Sequence, residues 1–184
     1  MKTNGLLYSL ALSLAAVSAS AAETMTDRQY IERGRYIVST SGCNDCHTPG
    51  YMKDGTVPEP LWLTGNQVGF QGPWGTSYPV NLRLHVQNIG ETEWIARARQ
   101  PMRPPMPWFN LRDMNDDDLR ALYRYIRAAG PAGEPAPAAA PPGVAVTTPY
   151  FDFAPKNLPR EQGAANSPAA EVPAQHAHLT ECPP

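Results

Sequence analysis

Five consecutive residues, Cys43-Asn44-Asp45-Cys46-His47, constrain this chain more than anything else in it. Two thiols three positions apart, with an imidazole beside the second, form a donor set with three uses: a dithiol redox pair, half of a zinc site, or a covalent haem attachment. A dithiol oxidoreductase sets its pair after a strand in a βαβ unit, and no such pattern surrounds this one. A tetrahedral zinc needs further ligands. The candidates, His176 and His178, lie about 130 residues away in a tail rich in proline and alanine.

The rest of the chain narrows the choice. Lys2 precedes an apolar stretch over residues 6–17, followed by small residues ending Ala19-Ser20-Ala21, which is the pattern of a secretory signal peptide over 1–21. Twelve apolar or near-apolar residues are too few for a hydrocarbon layer of roughly 30 Å. The mature protein is therefore expected to be exported, periplasmic in a bacterium, and without a membrane span. With 15 basic against 17 acidic residues and a net charge of -2, the chain has no electrostatic footprint for a polyanion, so nucleic acid is not an expected partner. Its 184 residues suffice for one ordinary domain plus extensions and exclude a large multidomain enzyme.

Residues 131–184 hold 12 of the 21 prolines and 13 alanines, and such composition reads as a largely extended or disordered tail. An aromatic island, Tyr150, Phe151 and Phe153, interrupts it. These rings either fold back onto the core or dock on a partner subunit.

Between signal and tail, residues 22–130 form the candidate domain. Three segments in it have helical signatures. The first spans 26–39, with Thr26 or Asp27 as the capping oxygen. The second spans 91–99, with Trp94, Ile95 and Ala98 on one side. The third follows Asn115 as N-cap, with Asp116, Asp117 and Asp118 in its first turn and Leu119, Leu122, Tyr123 and Ile126 as one apolar stripe, and Gly130 ends it. Three short helices separated by irregular chain enclose a meagre core, so something besides side chains must fill the middle. Taken with the export signal and the histidine, this selects one covalent haem c, held by thioethers from Cys43 and Cys46 with His47 on the iron.

The second axial position decides the chemistry: methionine favours a poised electron carrier, whereas an open site invites peroxide or gas chemistry. Met52, Met102, Met106, Met114 and His85 are the core candidates. Met106 is the expected ligand, because Arg103-Pro104-Pro105-Met106-Pro107-Trp108 stiffens the backbone where a weak thioether must be held, shortly before the last helix.

The run Arg33-Gly34-Arg35-Tyr36, the Cys43–His47 motif, Pro105-Met106-Pro107-Trp108 and the stretch from Asn115 through Tyr123 together resemble the class I monohaem cytochromes c of proteobacteria. The resemblance covers about residues 25–130. It implies an all-α fold of short helices around the haem, with first and last helices crossing at Gly34 against Tyr123 or its neighbours. It also implies a proline carbonyl accepting the ligand imidazole's Nδ1–H, by position Pro60, with Pro58 as competitor. The implied role is non-catalytic: one electron carried to and from redox proteins, as a free carrier or as the haem subunit of a respiratory dehydrogenase. A haem enzyme or ligand sensor with a displaceable sixth ligand is the alternative.

Some residues fall outside that pattern. Trp74, Tyr78 and Asn81 either donate to the haem propionates or are buried structural groups, and Trp108 is expected to pack at the haem edge. His85 reads as a surface or hydrogen-bonded histidine. Arg97, Arg99, Arg103 and Arg112 bracket the methionine segment and would make a basic face that steers an acidic partner if they share a side. Cys182 is left over, free or paired with another chain.

Overall fold

The computed structural model describes residues 25–157. The signal segment, Cys182, His176 and His178 lie outside the described residues.

Helix α1, Asp27–Thr40, opens on a capping box: the Thr26 hydroxyl accepts from the Gln29 amide at 3.3 Å, and Gln29 Oε1 accepts from the Thr26 amide at 2.7 Å. Of the two expected capping residues, Thr26 acts. At the other end Gly42, with φ of +73°, turns the chain at once into α2, Cys43–His47. A short α3, Leu82–His85, is capped by Asn81, and α4, Glu91–Ala98, buries Trp94 and Ala98. Helix α5, Trp108–Asp113, precedes α6, Asp116–Ala128, whose N-cap Asn115 accepts from the Asp118 amide at 2.8 Å.

The apolar stripe of α6 packs on α1, with Leu119, Leu122 and Ile126 fully buried beside Ile37 and Val38. The helices approach so closely at Gly34 that a Cβ there would sit 2.6 Å from the Ala121 carbonyl carbon and 2.7 Å from Tyr125 Cβ. The crossing partners are thus Ala121 and Tyr125. Tyr123 instead faces α4, tilted against Trp94 and donating to the Ile89 carbonyl at 3.1 Å. The Trp94 indole donates to Leu119 O at 2.9 Å. Glu91 receives both Arg120 and Arg124, and Arg124 also reaches Asp27, which ties α1, α4 and α6 together at one end.

The helical core carries a small sheet that periodicity did not signal, because strands of three or four residues are too short to show alternation. β1, Gly69–Gly72, pairs antiparallel with β2, Gly75–Ser77, placing Phe70 opposite Ser77. β3, Tyr150–Asp152, joins β1 in parallel, with Phe70 beside Phe151. β3 comes from the expected tail, which stays extended but runs back along the domain from residue 131 to 153. Asn81 Nδ2 donates to the carbonyls of Ala132 and Glu134, Gln67 to that of Pro135, Ala140 bridges Thr76 through both amides at 2.9 Å, and Tyr78 meets Thr148. Of the two readings of the tail rings, folding back is seen: Phe151 stacks on Phe70 and Phe153 meets Phe70 and Trp74 edge-on, with each tail ring still about half exposed.

Candidate haem site

Helix α2 is a single turn, too short to hold itself, and its neighbours hold it. Asn44, 1% exposed, accepts the Thr48 hydroxyl proton at 2.7 Å, and that hydroxyl accepts from the Leu63 amide at 2.8 Å. The His47 carbonyl accepts from the Gly65 amide at 2.8 Å. Cys43 and Cys46 are both free, so they form no disulfide with each other. Burial pushes the Cys43 thiol up to about 11 and raises that of Cys46 as well, which makes both poor thiolates and argues against dithiol redox chemistry.

His47 is 8% exposed, and burial lowers its pKa, so the imidazole is neutral. Its Nδ1 bonds to the carbonyl of Val80 at 2.8 Å. That partner keeps the proton on Nδ1 and leaves Nε2 as the lone-pair nitrogen a metal requires. Pro60, the expected acceptor, gives way to Val80, and its carbonyl instead receives Arg83 Nη1 at 2.6 Å. Arg83, itself buried, also donates to the carbonyls of Ala129 and Gly130 at the C-terminus of α6, where the helix dipole favours a cation. Sequence could not find Val80, because a backbone carbonyl carries no side-chain identity.

The other expected neighbours separate cleanly. Asn81 is used up as the cap of α3 and as donor to two tail carbonyls. The Tyr78 hydroxyl is paired with Thr148 at 2.5 Å. Trp74 retains an uncommitted donor: its indole Nε1 is buried without a hydrogen-bond partner, a state shared among buried side-chain atoms of the described residues only with Asn44 Nδ2. Trp108 is half-buried under the Arg112 guanidinium, 5.3 Å from its ring centroid.

Met106 lies half-buried in the segment between α4 and α5, and two sets of bonds hold it in place. On one side the Ser77 hydroxyl of β2 donates to Pro104 O at 2.5 Å. On the other, Arg99 donates to the carbonyls of Leu111, Arg112 and Met114 and pairs with Asp116, closing the end of α5 onto α4. No sequence pattern marks either anchor, since both act on backbone carbonyls. Of the alternatives, Met52 is 62% exposed, Met114 packs on the hydrophobic core, and Met102 is half-buried. His85 sits half-buried on α3 beside Arg97 and Glu93. The basic face is weaker than the arginine count suggests, since Arg99 pairs with Asp116 and Arg112 with Asp113.

Among the described residues no group of three or more His, Cys, Asp or Glu is arranged to hold a metal ion unaided. No described helix is long and apolar enough to cross a membrane. The donor set of two thiols and a neutral, oriented imidazole fits a haem, and the orphaned indole of Trp74 fits the carboxylates that a haem carries.

Helices that cross at a glycine and present a C-x-x-C-H turn define a small covalent haem domain. Similarity to known proteins agrees: the cytochrome c family profile matches residues 31–130, and the chain belongs to that family, whose prosthetic group is haem c. It is 28% identical over 119 residues to a subunit of the nicotinate dehydrogenase of Pseudomonas putida, covering 59% of this chain and 9% of that protein. It is 27% identical to the cytochrome c subunit of the alcohol dehydrogenase (quinone) of Gluconobacter oxydans, covering 63% and 25%. The fructose dehydrogenase cytochrome subunit of Gluconobacter japonicus is 28% identical, covering 60% and 24%. The chain thus spans a quarter or less of the length of these relatives. No solved structure matches it.

Proposed function

We propose that Cys43 and Cys46 hold the haem through thioethers, that His47 and Met106 are its axial pair, and that the chain carries single electrons in the periplasm for a dehydrogenase. The observation that carries this reading is the buried, neutral His47, held by Val80 at the end of a turn that presents both thiols. Bound there, the haem supplies a one-electron ferric–ferrous couple, and a thioether ligand raises its potential. The chain's own work is to keep that couple rigid. Val80 orients the imidazole, Ser77 holds Pro104 two residues before Met106, and Arg99 closes the end of α5 onto α4. Trp74 offers its free N–H to a haem carboxylate.

The chain is a carrier and not a catalyst. Its relatives named as cytochrome subunits of dehydrogenases support a role as haem subunit or shuttle of such an enzyme. Tyr150, Phe151 and Phe153, half exposed on β3, are the surface we assign to contact with it. Optical spectra of the oxidised and reduced protein test the reading. Low-spin spectra with the weak sulfur-to-iron charge-transfer band, lost in Met106→Ala and retained in Met102→Ala, support it. A high-spin ferric spectrum, or pigment removed by acid-acetone, refutes it.

A further inference from the structure

The family match ends at residue 130, yet the next stretch of chain is bound to the domain at residues 132–135, 140 and 148–153. Most of those bonds converge on the β1–β2 hairpin. Ala140 bridges Thr76 in β2, with both amides donating at 2.9 Å. Thr148 holds Tyr78, the residue after β2, and Pro149 O accepts from the Gly69 amide at the start of β1. At the other end the Phe153 amide donates to Gln71 O at 2.7 Å, and its ring packs on Phe70 and Trp74 at 5.5 and 6.2 Å. The first residue of β2 lies close against this chain. Gly75, at φ of +93°, lies so close under Ala140 that an added Cβ would stand 2.7 Å from the Pro141 carbonyl carbon.

The same hairpin bears two groups already given work at the haem: the unpartnered Trp74 indole on its turn and the Ser77 hydroxyl that holds Pro104. An isolated two-stranded hairpin of this length is marginal in water. What fixes these two donors is therefore the covering chain.

We propose that residues 132–153 are a strap that positions the hairpin against the haem, with Phe153 acting as a positioning residue through Trp74. The proposal rests on the reading of Trp74 as donor to a haem carboxylate. A donor there offsets the carboxylate's negative charge, which otherwise favours the ferric iron, so a displaced indole lowers the potential. The strap makes the aromatic ridge of β3 more than a contact surface, because any partner that shifts the ridge shifts the indole.

The test is the midpoint potential of the haem-loaded full chain in a double-mutant cycle. Phe153→Ala and Trp74→Phe each lower the ferrous-to-ferric ratio at fixed poise by about threefold, the low end of coupling between residues in contact, and the double variant falls no further than the larger single effect. Phe153→Leu, which restores apolar bulk, recovers most of the loss. Thr148→Val, which frees Tyr78 and touches neither ring, moves the potential in the same direction, and it decides the matter if Phe153→Ala does not fold. Amide exchange at Thr76 and Ala140 quickens in both. If Trp74→Phe is silent, the donor reading fails and the strap's role falls with it. If Trp74→Phe acts while Phe153→Ala and Thr148→Val lower only the melting temperature, or if the two ring substitutions add, the strap is merely structural and the proposal is overturned.

Discussion

Replacing Gly34 by alanine tests the packing on which the haem turn depends. An added methyl would overlap the Ala121 carbonyl oxygen and stand 2.6 Å from the Ala121 carbonyl carbon and 2.7 Å from Tyr125 Cβ, whereas ordinary contact begins at 3.4 Å, so α1 must retreat by at least about 0.8 Å. The obstacles are backbone and a Cβ, which no rotamer change moves aside. A gap of that size forfeits roughly a quarter to a half of the dispersion energy along the interface, and overpacking of this kind costs about 3 kcal/mol. Alanine's helix propensity returns about 1 kcal/mol, leaving a net loss of about 2 kcal/mol. For a domain of this size that is a fall in melting temperature of roughly 10 °C. The assay is thermal unfolding of the haem-loaded protein followed by far-UV and Soret circular dichroism. Gly90→Ala is the control, since nothing lies within 4 Å of a Cβ there, and only a cap effect of at most about 1 kcal/mol is expected. Because α1 passes through Gly42 directly into α2, a retreat of α1 also displaces the thiols, and haem incorporation should fall with stability. A Gly34→Ala protein that melts at or above the parent temperature would refute the argument.

Further outcomes follow from other parts of the structure. Arg99→Met removes the donor to three carbonyls at the end of α5 and its pairing with Asp116, and should cost about 2 kcal/mol. It should also cause the sulfur-to-iron band to vanish at lower temperature than in the parent. Burial, aided by Arg97 and opposed by Glu93, holds the His85 pKa below its ordinary 6.5. Its contribution to stability is complete above that value and is lost as pH falls through the lower folded-state value. His85→Gln should therefore flatten the decline in melting temperature as pH falls below about 6.5. With Arg99 and Arg112 paired to carboxylates, electron exchange with an anionic reagent should respond only weakly to ionic strength, and stopped-flow rates at low and high salt check this.

The covalent centre and the three principal helices are legible in the amino-acid sequence because each depends on local chemistry. Cys43, Cys46 and His47 need only their own spacing. Thr26 with Gln29, and Asn115 with Asp118, close helix ends across three residues. Gly34 and the stripe of α6 announce that two helices meet, although only the packed fold selects Ala121 and Tyr125 over Tyr123. What orients the imidazole was decided by tertiary structure alone, since the carbonyl of Val80 is chemically the same as that of Pro60 and only the path of the chain brings one to Nδ1 and the other to Arg83. The same holds for the sheet and the strap. β3 and the bridging Ala140 lie in proline- and alanine-rich chain whose composition reads as extended or disordered, and nothing in that composition marks them for pairing. Their order comes from hydrogen bonds and aromatic contacts to residues some 60 to 80 positions earlier, which no local pattern encodes.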